Sequence, residues 1–190
     1  TGAVQSNFVR TAAAAARKMD MDIHIQLEAR VPNPSPLYYH SGNVLLDRIY
    51  GATLHSFPEG EDEVGADNNL EAIAEDLRAK GRVPYVIHLG PGHPPRGALG
   101  YVVAARELVE QMIETGLSFD EIVVPSGSGA THAGFLFGLR ALGCTIPVKG
   151  ICVRRTKDQQ TPRITKRCQE IADLLEMENP AAVVANATDL

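Results

Sequence analysis

No apolar run in the 190 residues approaches the ~20 that a helix needs to cross a bilayer, and no signal-peptide pattern opens the chain. Basic charge is not in excess either. The net charge of -5 argues against a nucleic-acid backbone as partner. Cysteine is scarce: Cys144, Cys152 and Cys168 are odd in number and not closely spaced, so reduced thiols in a cytoplasmic setting are expected. Internal repeats and low-complexity tracts are also lacking. What remains is 44% hydrophobic and 22% charged, a soluble globular balance that can bury a core. The length suits one domain or two small ones sharing a cleft.

Thr1 is not an initiator Met, and a helix signature follows Thr1-Gly2-Ala3 at once with no strand to feed it. The expectation is a chain cut upstream of a first strand. Residues 7–19 read as a helix through the run Ala12 to Ala16, with Ser6 or Asn7 as cap. Residues 22–28 alternate strictly, which predicts a strand with Ile23, Ile25 and Leu27 turned inward. A short helix through Leu45, Leu46 and Ile49 ends at Gly51, and residues 52–57 form a strand. The acidic stretch 59–67 reads as a solvated loop before a helical stripe of Leu70, Ile73, Ala74 and Leu77. A third strand is expected at 83–89.

The Gly/Pro-rich segment 88–97 is the expected crossing between lobes. Beyond it come a helix at 99–115, a strand at 121–124, a Gly-rich loop, a helix at 131–142 and a strand at 148–153. A last helix has Ile164, Cys168, Ile171, Ala172 and Leu175 on one face. Strands alternating with helices imply an α/β fold of parallel sheets covered on both sides, in two lobes, residues 1–95 and 96–190.

The most informative stretch is Ile122-Val123-Val124-Pro125-Ser126-Gly127-Ser128-Gly129-Ala130-Thr131-His132-Ala133-Gly134. A buried strand running through small residues into a helix aims free backbone N–H groups and the positive helix end at one point. Ser128 and Thr131 add hydroxyls, so a phosphate is the expected guest. Two owners are open. A dinucleotide loop wants G-x-G-x-x-G, but His132 stands where the third Gly belongs; Arg154-Arg155 after the next strand could suit the extra phosphate of NADP. The other owner is pyridoxal phosphate (PLP), whose single phosphate needs such a cup. A second small, polar helix start, Gly2-Ala3-Val4-Gln5-Ser6-Asn7, suits a carboxylate; Ser6 and Asn7 can equally be simple caps.

Four segments in order then resemble one family. They are Gly2 to Asn7 with Arg10, Ser41-Gly42-Asn43 with Leu45-Leu46, Gly97-Ala98-Leu99-Gly100-Tyr101-Val102, and Ser126 to Gly134. They look like the PLP-dependent D-cysteine desulfhydrase and 1-aminocyclopropane-1-carboxylate (ACC) deaminase family, close to L-cysteate sulfo-lyase. The resemblance implies the two-lobed tryptophan-synthase-β-like fold (PLP fold type II), incomplete at both ends, and a homodimer. It assigns Ser128, Gly129, Ala130 and Thr131 to the PLP phosphate and Asn7 to the ring hydroxyl of PLP. Ser6 would be the catalytic residue beside a small amino-acid substrate, whose carboxylate Gln5, Ser6 and Asn7 would hold. The implied reaction is β-elimination to pyruvate and ammonia, with ACC deamination as the alternative.

Two departures from the family pattern stand out. Phe8 follows Asn7 where relatives usually carry His or Gln. The PLP lysine of the family lies in a Gly-Gly-Asn-Lys-type segment upstream of Thr1, and Lys18, Lys80, Lys149, Lys157 and Lys166 match no such context. The segment by itself is thus expected to be inactive, and a non-catalytic fragment or an NADP-binding oxidoreductase are the rival readings. No metal site is expected: His88 and His93 share a loop, but no Cys or carboxylate accompanies them at usual ligand spacing. His132 is expected to pack rather than act as a base.

Overall fold

The computed structural model describes residues 1–60, 62–90 and 92–181. Glu61 of the acidic stretch and Pro91 of the Gly/Pro-rich segment lie outside them. The chain divides into two compact units, Thr1–His93 and Pro94–Leu190. No helix among the described residues is long and apolar enough to cross a membrane.

The first unit runs β1 (Gly2–Ala3), α1 (Asn7–Lys18), β2 (His24–Glu28), a 3-10 turn (Pro36–Tyr39), α2 (Gly42–Ile49), β3 (Thr53–Phe57) and α3 (Glu63–Ala79). Its sheet has the order β1-β2-β3, all parallel, with Gly2 opposite Leu27 and Ile25 opposite Leu54. A short strand therefore does precede α1. The alanine run gives α1 a thin face: Ala13 and Ala16 are buried with Val4, Val9, Ile25, Leu27 and Val44.

The alternation of β2 predicted one buried face, but both faces are covered. Gln26 is fully buried, its Nε2 donating to the Ala66 carbonyl at 3.0 Å and its Oε1 accepting from Asn69 Nδ2 at 2.5 Å. Glu28 is buried against Arg30, 2.7 Å away. A parallel sheet with a helix on its second face needs satisfied polar partners where the alternation places polar residues.

Two further expectations change, and α2 buries residues that its apolar pattern did not mark. The acidic stretch is not loop to its end: Asp62 caps α3 by accepting from Gly65 N at 2.8 Å, and the helix begins at Glu63. On α2 the buried residues are Val44 and Asp47, while Leu45, Leu46 and Ile49 are exposed. Residues 83–89 form no strand, and Val83 and Tyr85 are exposed. Strand propensity becomes a strand only when a neighbour completes the ladder, and none pairs with this segment among the described residues.

The second unit runs α4 (Ala98–Thr115), β4 (Ile122–Ser126), α5 (Ala130–Ala141), β5 (Val148–Cys152) and α6 (Lys157–Leu175). β4 and β5 are parallel, with Val124 opposite Gly150. Leu136, Phe137 and Leu139 of α5 are completely buried with Val148 and Ile171. Each such side chain contributes about 2 kcal/mol by burial. α6 starts in a capping box, Thr156 with Gln159, and buries Ile164, Cys168, Ile171 and Ala172; the expected fifth member of that stripe, Leu175, is exposed.

Candidate active site

In the first unit the turn before α1 is held by side-chain amides. Ser6 is the N-cap, its Oγ accepting from Val9 N at 3.4 Å. Gln5 is committed elsewhere. Its Nε2 donates to the carbonyls of Tyr38 (2.6 Å) and Ser41 (3.0 Å), and its Oε1 accepts from Asn43 N at 2.9 Å. Gly42, at φ +56°, makes room for this, since a Cβ there would lie 2.6 Å from Gln5 Oε1. The Gln5 side chain is thus a clamp, and only its backbone is left for a ligand.

Asn43 completes the network. Its Nδ2 donates to the Gln5 carbonyl at 2.9 Å and to Asn7 Oδ1 at 3.1 Å, and its Oδ1 accepts from Arg10 Nε at 3.4 Å. Because Asn7 Oδ1 accepts, the exposed Nδ2 of Asn7 is the end that can donate outward. Behind the network Asp47 is fully buried with neither carboxylate oxygen hydrogen-bonded, and burial raises its pKa while Arg10 lowers it. His55 Nε2 lies 3.0 Å from His24 Nδ1; burial first and His24 second push its pKa down. A cavity of about 510 Å³ opens at the carboxyl ends of β2 and β3, bounded by Val4, Leu27, Tyr39, Arg48, His55 and Phe57. Ser6 and Asn7 are not part of its wall.

In the second unit the loop between β4 and α5 offers backbone instead. Gly129 is the N-cap at φ +87°, a conformation natural only to glycine, and provides no side-chain cap. The first-turn N–H groups of α5 are therefore presented at the helix end. Ala130 N leans on Ser128 Oγ at 3.5 Å; Ser128 is exposed and Thr131 half-buried beside it. The loop is braced from behind. Buried Gln160 Nε2 donates to Ser126 Oγ at 2.9 Å and to the Gly127 carbonyl at 3.1 Å. Arg155 Nη1 holds the same carbonyl at 3.2 Å, and Arg163 Nε the Ser128 carbonyl at 3.3 Å.

His132 is fully buried, with Nε2 3.1 Å from the Val148 carbonyl and Nδ1 3.2 Å from Ser126 Oγ. A carbonyl only accepts, so Nε2 carries the proton and Nδ1 accepts from the serine. The ring is a strut between strand and helix. Residue-type reasoning missed Asn43 and Gln160 as positioning groups. Asn43 stood in a recognised motif, but Gln160 sits on a distant helix and carried no local signal.

The two units are thus parallel α/β layers, each ending in a helix start suited to an anion, the architecture of an enzyme that binds a phosphorylated cofactor. The family model for pyridoxal-phosphate dependent enzymes matches residues 1–189, and the chain belongs to that family. Its relatives include the ACC deaminases of Bradyrhizobium diazoefficiens and Rhizobium rhizogenes, each 38% identical over 93% of this chain and 52% of the relative. A solved ACC deaminase homologue is 36% identical with a TM-score of 0.77, over 94% of this chain and 51% of that one. The apo diaminopropionate ammonia lyase of Escherichia coli, at 19% identity and TM-score 0.56 over 80% of this chain and 38% of that one, shares the fold. The fold is PLP fold type II, and the family's cofactor is PLP, not NADP. The chain spans about half the length of the curated relatives it matches.

Proposed function

We propose that this chain supplies the phosphate cup and one wall of the substrate site of a PLP-dependent lyase that releases ammonia from a small amino acid. The observation that carries this reading is the uncapped start of α5, where glycine at φ +87° leaves backbone N–H groups flanked by Ser128 and Thr131. These residues fit a phosphate, whose oxygens need several converging donors and close backbone approach. When bound, PLP withdraws electrons from Cα of the substrate and makes its proton acidic.

The residues of this chain would divide the remaining work. Ser128, Gly129, Ala130 and Thr131 hold the phosphate, and Asn7 Nδ2, aimed by Asn43, donates to the ring hydroxyl. Ser6 and the backbone of Gln5 to Asn7 hold the substrate carboxylate. The positive end of α1 favours that carboxylate by about 0.3–1 kcal/mol. Exposed Phe8 gives the substrate side chain an apolar flank. The reaction we propose is β-elimination from D-cysteine or L-cysteate; ring-opening deamination of ACC is the second reading, favoured by the names of the relatives at 36–38% identity. A homodimer in a reducing compartment, compatible with three free cysteines, completes the proposal.

Ammonia release from D-cysteine, L-cysteate and ACC is the test of substrate, performed with PLP on protein that also carries the family's lysine segment; release from none of the three would reject the reading. Because no lysine stands in either anion loop, pyridoxamine phosphate, which needs no lysine, is the probe for this chain by itself. Calorimetry should give binding that Ser128→Ala with Thr131→Ala weakens about tenfold or more, the loss of two hydrogen bonds to a charged group. Unchanged affinity would remove the phosphate cup.

A further inference from the structure

Outside the proposed active site, α3 and the segment after it bring Asp67, His88 and His93 together, each offering one ligand atom within 4.8 Å of the others. We propose that they bind a first-row divalent metal ion of the zinc type, with Glu71 as the outer carboxylate that orients His88.

His88 Nε2 lies 2.9 Å from Glu71 Oε1, so that nitrogen carries a proton and donates it to the carboxylate. In the neutral tautomer with its proton on Nε2, the other nitrogen, Nδ1, is a bare lone pair. It faces Asp67 Oδ1 at 3.3 Å, and both atoms are buried without a hydrogen-bond partner. Two acceptors confronting each other in a buried site repel, and a cation between them turns the conflict into two bonds. Carboxylate to histidine to metal is the usual way a metal-bound imidazole is fixed in its tautomer.

The third ligand follows the same geometry. His93 Nε2 is 3.5 Å from Asp67 Oδ2. The rings of His88 and His93 stack in parallel, centroids 3.7 Å apart and 7° between planes. A tetrahedral ion with bonds of 2.0–2.1 Å spaces its ligands about 3.4 Å apart. The contacts of His88 Nδ1 with Asp67 Oδ1 (3.3 Å) and of His93 Nε2 with Asp67 Oδ2 (3.5 Å) are of that size, one on each carboxylate oxygen. Gly90 belongs to the arrangement, because a Cβ there would collide with Asp67 Oδ2. Two imidazoles and one carboxylate select zinc-like ions over Mg²⁺ and Ca²⁺, which prefer oxygen throughout. Asp67 and Glu71 sit one turn apart on α3, so one helix face provides both the ligand and the group behind the other ligand. A bound ion would tie the segment after α3 to that helix.

The test is titration of tag-free, chelator-stripped protein with Zn²⁺ by calorimetry, and with Co²⁺ by visible absorption. One equivalent should bind, with the ligand-field bands of a nitrogen- and oxygen-coordinated ion. A thiolate charge-transfer band would instead assign the metal to the cysteines and overturn the proposal. Asp67→Asn and His93→Asn should each weaken binding at least about 100-fold, and Glu71→Gln about tenfold. His93 is the most exposed of the three ligands, so its variant is the least prone to misfold. Zn²⁺ should raise the Tm of the parent protein but not of His93→Asn. Failure to bind, or affinity unchanged from the parent in Asp67→Asn and His93→Asn, would overturn the site. Either result leaves the PLP reading standing, since no group of the phosphate cup is involved.

Discussion

The two helix starts solve the same problem with opposite materials. Before α1 the turn is built from side chains: Gln5 clamps the segment 38–43, and Asn43 returns to aim Asn7. Before α5 it is built from backbone, with Gly129 at φ +87° and its brace, Gln160, brought from α6. A glutamine amide fixes each turn, but in the first it belongs to the turn and in the second it comes from outside. On the proposed assignment the difference follows from the guest of each turn. A phosphate is met by many short donors and leaves no room for side chains, whereas a ring hydroxyl and a carboxylate need one amide aimed in one direction.

The largest effect should come from filling the backbone cup. Gly129→Ala puts a Cβ at a left-handed φ and 2.8 Å from Ile164 Cδ1. The strain and contact together should cost about 3 kcal/mol and reduce cofactor retention, as read by thermal melts and pyridoxamine phosphate titration. Adding Ile164→Ala separates the two causes: relief of the contact without return of ligand affinity assigns the loss to backbone conformation. Full affinity in Gly129→Ala alone would contradict the backbone account.

Removing the outside brace comes next. Gln160→Ala leaves Ser126 Oγ without its amide donor and the Gly127 carbonyl to Arg155 alone, and should cost about 2 kcal/mol. Ligand affinity should fall along with stability, because the brace acts through the loop. In the first unit Asn43→Ala should cost less, about 1 kcal/mol, since its site is partly open to water that can replace the lost bonds. Its mark is a split between readouts: phosphate affinity unchanged, but turnover reduced through misorientation of Asn7. Equal loss of both would erase the distinction between the turns.

That contrast was unevenly legible in the residues. The Ser126 to Thr131 loop could be read because a strand, small residues and a helix in succession leave few other geometries. Asn7 and Ser6 were readable as helix-start residues, but the clamp role of Gln5 depends on a segment more than thirty positions away. The strand expected at 83–89 rested on composition alone, and ladder formation depends on a neighbour that composition does not reveal. Leu45, Leu46 and Ile49 marked α2 as a helix but not its buried face, which holds Val44 and the charged Asp47. Density of charge made 59–67 look like a loop, although Asp62 is a helix cap, and this also hid Asp67 as a companion of His88 and His93. Each miss concerns a partner supplied from another element.

The smallest effect sharpens the comparison through pH, within the first unit. His55 has its pKa pushed below the ordinary 6.5, by burial and then by His24. The unfolded chain therefore takes up this proton more readily than the folded one. The contribution of His55 to stability is full above pH 6.5 and is lost as pH falls through the depressed value. Asp47 acts in the other sense: its raised pKa favours the folded state below the ordinary 3.8 and loses that contribution as pH rises through the elevated value. On acidification from pH 7 the first unit should thus lose stability through His55 and regain some through Asp47. Urea melts between pH 7.5 and 4 should show a shallower initial decline in His55→Gln, and the later recovery should vanish in Asp47→Asn. An unaltered pH profile in His55→Gln would exclude the His24–His55 pair as its cause.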